Sequence, residues 1–292
     1  MKAIRRNLLL ISGGIFALSI SAQQPAEGDH QDVVYQNDGN IYVQKQLPLY
    51  LKFSTTPEGK NFDLKSKSTS EYADPMYLDT EGINYIRSKW AVDPQTKRTV
   101  QPQREIMYEI YADGIPPVST SRFSGAPKYR AGGNIYYGKG LKVDISSKDG
   151  VSGVAAIHKA LDAGSWSDYS GTISVDNEGT HNLYYYAHDN VGNEEKARSR
   201  KFIVDITAPT SSDAIVGIVH NSNIIAPSTK FKLTATDNLS GTKRTYFAYD
   251  ERSQNTYPGY PVSVAYLKDG NHTLYYYTVD NVNNEEGRKS FS

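Results

Sequence analysis

The sequence predicts an all-β chain of repeated sandwich modules behind a signal peptide, on three observations. A 17-residue stretch, Gly179-Thr-His-Asn-Leu-Tyr-Tyr-Tyr-Ala-His-Asp-Asn-Val-Gly-Asn-Glu-Glu195, recurs 91 residues later as Gly270 to Glu286, with 12 positions identical. A period near the size of one small domain marks an array of like modules. Between the copies lie short apolar runs bounded by Gly, Pro, Asn, Asp and Ser, with no helical period. Finally, Asp113-Gly-Ile-Pro-Pro117 and Asp205-Ile-Thr-Ala-Pro209 repeat one linker form: Asp, three residues, Pro.

The start of the chain gives its address. Lys2, Arg5 and Arg6 precede an apolar run from Leu8 to Ile20, and Ser19-Ile-Ser-Ala22 closes it with small residues. That is the pattern of a secretory signal peptide over 1–22, cleaved after Ala22. The run falls short of the roughly 20 apolar residues that span a bilayer. Nothing later is long and apolar enough to span as a helix, so no transmembrane helix is expected once the signal is removed. Residues 23–32 are polar and read as disordered.

The first module, 33–117, is the divergent one. Ile41 to Val43, Leu49 to Phe53 and Glu105 to Tyr111 read as strands, and Gly82 to Asp93 as a worn copy of the repeated stretch. The second module, 118–209, places strands at Leu141 to Ile145, Ala155 to Leu161, Ile173 to Val175 and Arg200 to Val204, around the Tyr184-Tyr185-Tyr186 strand. The third, 210–292, repeats that order with Phe231 to Ala235, Tyr246 to Tyr249 and Tyr275-Tyr276-Tyr277. Measured from the closing Asp, its last strand is about four residues short of its counterpart by internal alignment. That predicts either a longer array, with this chain as part of it, or an open edge.

Side chains alternate along a strand. In the worn copy Trp90 and Val92 share a face, with Arg87 and Lys89 opposite. Carried to the later copies, this predicts that Tyr184, Tyr186 and His188, with Tyr275, Tyr277 and Val279, face the core. Leu183 and Leu274 fall on the other face and argue against it.

About seven short strands per module with closely spaced turns give an immunoglobulin-type β-sandwich. Asp-x-x-Ser-Gly, then the repeated stretch, then Val-Asp-x-x-x-Pro resembles the repeat of bacterial surface proteins first named for a leptospiral outer-membrane protein and labelled a "β-barrel" domain. It is also similar to bacterial immunoglobulin-like repeats generally. The match spans Leu141 to Glu286 well; the first module follows by strand order alone, since Asp93-Pro-Gln-Thr-Lys97 lacks the Asn-x-Gly-Asn turn. The resemblance implies surface display and, in some members, binding to host matrix.

Composition excludes several classes. Basic and acidic residues balance at 32 each, against a general nucleic-acid surface. There is no Cys, hence no disulfide, thiolate metal site, Cys nucleophile or N-terminal lipid anchor. No hydrolase, zinc-protease or phosphate-loop motif is present, so no catalytic residue and no enzyme is predicted. His181 and His272 recur at one strand position, which points to structure.

Two candidate sites remain. In such a sandwich the B–C and F–G loops meet the entering linker at one end. This gathers Asp113, Asp149, Asp189 and Asn190 in the second module, and Asp205, Asp237, Asn238, Asp280 and Asn281 in the third. Hard oxygens from three segments suit structural calcium. The same Asp and Asn residues also suit simple turn capping, and both readings stand. Separately, Trp166, Tyr169, Tyr257 and Tyr260 sit in Gly-, Pro- and Ser-rich loops, where aromatics either bind a glycan or an extracellular protein or fold back on the sandwich edge.

The function predicted is an exported, non-enzymatic spacer or adhesive array at the outer membrane surface or beyond, with the periplasm as another location, monomeric or part of a longer chain. The alternatives are an accessory, carbohydrate-binding region of a larger secreted enzyme and an outer-membrane barrel.

Overall fold

The computed structural model describes residues 34–49, 52–53, 62–63, 77–88, 106–220, 224–250 and 252–292, and every regular element there is a strand. The signal peptide expected over 1–22, the polar segment 23–32, and Trp90, Val92 and Asp93 lie outside the described residues.

In the N-terminal region β1 (Val34–Asn37) and β2 (Asn40–Gln44) form a hairpin; β3 (Lys52–Phe53) pairs with β4 (Phe62–Asp63); β5 (Gly82–Ser88) and β6 (Ile106–Asp113) follow. The hairpin turn is Asp38-Gly39, both at positive φ, as a two-residue turn matched to strand twist requires. The sheet order is β1-β2-β6-β5, with β2 parallel to β6.

The next unit comprises β7 (Val118–Ser124), β8 (Lys128–Ala131), β9 (Asn134–Tyr137), β10 (Leu141–Lys148), β11 (Val154–Leu161), β12 (Ser167–Asp168), β13 (Ile173–Val175), β14 (Gly179–Asp189) and β15 (Arg198–Val204). One sheet runs β13-β10-β7 and the other β12-β11-β14-β15-β9-β8. Between them sit Leu141, Val143, Ile145 and Val175 from the first sheet and Tyr137, Leu183, Tyr185, Phe202 and Val204 from the second. Leu141, Val143 and Ile145 are buried while Lys142 and Ser146 are exposed, the period-two pattern of a strand with one wet face. Each such buried side chain contributes about 1.5–3 kcal/mol of transfer free energy.

The C-terminal unit comprises β16 (Thr210–Val216), β17 (Val219–His220), β18 (Ile224–Ile225), β19 (Lys230–Thr236), β20 (Thr242–Tyr249), β21 (Asn255–Thr256), β22 (Val262–Ser263), β23 (Leu274–Asp280) and β24 (Lys289–Phe291). Sheets β16-β19-β22 and β21-β20-β23-β24 enclose Phe231, Leu233, Phe247, Tyr249, Leu274 and Tyr276, and the β17–β18 hairpin is a separate two-stranded sheet whose Ile225 packs on that core. These are immunoglobulin-like sandwiches. Each described sheet has two edge strands, so none closes into a barrel.

The core face is the reverse of the one the worn copy predicts. Leu183, Tyr185 and Ala187 point inward, as do Leu274, Tyr276 and Thr278. Leucine decides the face, because tyrosine is served on either side. Inside, the Tyr185 hydroxyl accepts from Ser121 Oγ at 3.1 Å and the Tyr276 hydroxyl donates to Asp213 at 2.6 Å, each reaching the sheet edge. Outside, Tyr186 is covered edge-on by Trp166 with centroids 4.9 Å apart.

Candidate functional site

The leading end of each sandwich is built from three segments. The end of β6 supplies Asp113, and the residue after β15 supplies Asp205, each opening the connection to the next sandwich. The turn after β10 or β19 supplies Asp149 or Asp237. The end of β14 or β23 supplies Asp189 or Asp280. Each triplet brings one carboxylate oxygen per residue within 4.8 Å of the others. A β-bulge beside each cluster, between Val154 and Ala156 or between Thr242 and Arg244, bends the neighbouring strand there.

Every carboxylate first holds backbone. Asp149 Oδ2 accepts the Val151 and Gly153 amides at 3.0 and 2.8 Å, and Asp237 Oδ1 accepts those of Leu239 and Gly241. Asp189 Oδ1 accepts from the amides of Val191 and Asn193, and Asp280 Oδ1 from those of Val282 and Asn284. Asp113 accepts from Ile115 and Ser152. A carboxylate offers about four lone-pair sites, so this leaves capacity for a further ligand.

Gly153 and Gly241 turn at φ +82° and +80°. There they meet Asn190 and Asn281, whose Nδ2 atoms donate to the carbonyls of Ser152 and Gly153 and of Ser240 and Gly241. These two asparagines therefore tie the F–G loop to the B–C loop. Asn238 stays exposed at a loop tip.

The clusters are dense in negative charge. Among the described residues no Lys, Arg or His forms an ion pair with any of the six carboxylates. Burial, reinforced by the Asp113 charge, pushes the Asp189 carboxyl above its ordinary range against the pull of the Asn193 and Val191 hydrogen bonds. Burial and the Asp205 charge do the same to Asp280. Buried like charges without a counter-charge are costly. A hard dication offsets that cost, and oxygens around one Ca²⁺ at about 2.3–2.6 Å lie no more than about 5 Å apart. The donor set and its span thus fit calcium.

Two further pairs of residues complete the site and were not singled out by sequence reasoning. Asn193 Nδ2 donates to the Asp113 carbonyl at 3.1 Å and to Asp189 Oδ2 at 2.7 Å, and Asn284 does the same for Asp205 and Asp280. Glu195, buried, accepts the Ser119 and Ala187 amides and so ties the F–G turn to β7. Glu286 accepts from the Ser211 amide and hydroxyl in the same way. Their signal was their identity in both copies of the repeated stretch.

The loop aromatics do not converge. The Tyr169 hydroxyl accepts the Ile145 amide at 3.1 Å and its ring packs on the core; Tyr257 packs on the C-terminal core. Trp166 covers Tyr186. Tyr260 is 66 % exposed. Beside Tyr186, on the outer face of β11 and β14, His158 lies 3.0 Å from His188 and 2.9 Å from Asp168, a cluster with no sequence motif.

No protein-family model and no curated protein matches the chain. Among solved structures it is similar to the fibronectin(III)-like modules of CbhA from Clostridium thermocellum, at 16 % identity and a TM-score of 0.32, over 59 % of this chain and 91 % of that one. The class of protein is defined by its own strand order: two β-sandwich units in tandem after an N-terminal sheet, each sandwich with an aspartate cluster at its leading end.

Proposed function

We propose that the chain is an exported, non-enzymatic array at a bacterial surface, a spacer or binding rod of the leptospiral repeat type whose module junctions are stiffened by calcium. One observation carries it: Asp113 and Asp205, which open the connections between units, are 0 % and 1 % exposed. A flexible tether keeps its carboxylates in water; these are built into the next module's loop end. Fixing that end to the linker sets the angle between modules, which is what a spacer or a multivalent display needs.

The experiment is thermal unfolding of the full chain in millimolar Ca²⁺ and in chelator. A site filled at 100 times its Kd adds about 2.7 kcal/mol. For one module that raises Tm by more than about 10 °C. An unchanged Tm, with no calcium bound in equilibrium dialysis, would sink the calcium reading and leave six turn caps.

A further inference from the structure

One buried hydroxyl recurs without a partner beside each aspartate cluster. It belongs to the serine of Asp149-Gly-Val-Ser-Gly153 and of Asp237-Asn-Leu-Ser-Gly241. The Ser152 amide donates to Asp113 Oδ2 and the Ser240 amide to Asp205 Oδ2, each at 2.8 Å. Their carbonyls accept from the Nδ2 atoms of Asn190 and Asn281 at 2.9 and 2.8 Å. Each serine thus stands where the three segments of the site meet, and each is 5 % exposed. Neither Oγ makes a hydrogen bond among the described residues.

Buried side-chain polar atoms are nearly always paired, because an unpaired one forfeits its hydration without compensation. Five described side-chain atoms depart from that rule, and this is the one position that does so in both sandwiches. Ser119 Oγ is another of the five, yet its counterpart Ser211 Oγ bonds Glu286. The backbone contacts of Ser152 and Ser240 need no side chain. Alanine would hold the same turn without the orphaned oxygen.

The position of the hydroxyl names its partner. Oγ is three covalent bonds from an amide nitrogen that touches the first carboxylate, and it rides on the turn that carries the second. One torsion, χ1, sets it toward the carboxylates. Calcium takes about six to eight oxygens, neutral ones included. The carboxylates of each cluster already spend part of their capacity on backbone amides. A serine hydroxyl adds a neutral oxygen to a site crowded with negative charge. It gives a lone pair to the ion and its proton to a carboxylate oxygen. We propose that Ser152 Oγ and Ser240 Oγ are ligands of the cation at the two clusters. The proposal rests on the calcium reading above and adds a fourth residue to each site.

The test compares the full chain with its Ser152→Ala, Ser240→Ala and doubly substituted variants. Calcium binding is read by isothermal titration, and stability by urea denaturation in chelator. In chelator the variants should match or exceed the parent's midpoint, since the substitution removes an unpaired polar atom. In calcium each single variant should lose about tenfold or more in affinity at one of two sites, and the double variant at both. An unchanged calcium Kd in the variants, with the parent binding two ions, overturns the serine assignment and leaves the calcium reading intact. No calcium bound by the parent at millimolar concentration overturns both. A midpoint lowered in chelator shows that the hydroxyl is already paired in the ion-free protein, by water, and overturns the assignment as well.

Discussion

The Asp113 carboxylate accepts the backbone N–H of Ser152 at 2.8 Å, across 39 residues of chain, and Asp205 accepts that of Ser240 at the same 2.8 Å. In both cases the aspartate that opens the connection between units is a structural part of the loop end of the sandwich that follows. The linker carbonyl is held as well, by Asn193 or Asn284. Charge at the clusters and hydrogen bonding at the turns are therefore separable, and substitution can address each.

Asp149→Asn and Asp237→Asn test the charge. An asparagine keeps the acceptor oxygen that holds the two turn amides, and removes one of three crowded carboxylate charges. In chelator each variant should be at least as stable as the parent by urea denaturation. In calcium the parent should gain stability and the variant should gain less, about 2 kcal/mol less if the parent's site is saturated. Equal gains for parent and variant would show that any calcium effect lies elsewhere.

Glu195→Ala tests the tie between the F–G turn and β7. Removing the carboxylate leaves the Ser119 and Ala187 amides buried without their acceptor. An orphaned buried donor costs about 1–3 kcal/mol. The expected loss by urea denaturation is about 2–5 kcal/mol, independent of calcium. A loss below about 0.5 kcal/mol would mean that water replaces the carboxylate.

The aspartate clusters were legible because three short motifs repeat at like spacing and an immunoglobulin topology gathers their loops. Strand β10 was legible from alternation, and β15 from its place closing the module after the repeated stretch. The core face of β14 was not, since tyrosine suits either face and only Leu183 broke the tie. Strands β7 and β16 were not either: Val118-Ser-Thr-Ser-Arg-Phe-Ser124 has little apolar alternation, and Ser119 and Ser211 are placed by contacts to Glu195 and Glu286 more than 70 residues away. Nor does the β18 edge show in sequence, since two isoleucines carry no pairing information by themselves.

Gly138→Ala probes the junction of the two sandwiches. A Cβ at Gly138 would lie 2.6 Å from the Val282 carbonyl oxygen, a backbone atom that cannot swing aside. Val282 is itself buried at the tip of its F–G loop. Overpacking of this kind costs about 1–3 kcal/mol. The expected outcome is weaker coupling of the two modules, seen as calorimetric transitions that separate further than in the parent. Gly150→Ala, where nothing lies within 4 Å, is the control and should leave the profile unchanged. Identical profiles for both variants would show that the modules do not couple through this contact.

His272 and Asp250 set a pH dependence whose sign can be worked out. The Nδ1 of His272 lies 2.9 Å from Asp250 Oδ2, and its Nε2 lies 2.7 Å from the Lys268 carbonyl oxygen. Both ring nitrogens face acceptors, so the doubly protonated imidazolium is favoured. Its pKa is raised, chiefly by the Asp250 hydrogen bond and then by the Lys268 carbonyl. The Asp250 pKa is lowered, chiefly by the Thr273 amide and then by His272. The histidine's contribution is fully present below its ordinary unfolded value and is lost as pH rises through the raised one. The aspartate's contribution is present above its ordinary value and is lost as pH falls through the depressed one. The pair therefore stabilises the third module between the two ordinary ranges, from about pH 4 to about pH 6.5. An NMR titration of the His272 ring should show the raised midpoint, and Asp250→Asn should return it toward about 6.5. A midpoint that does not move in that variant would assign the shift to the Lys268 carbonyl alone.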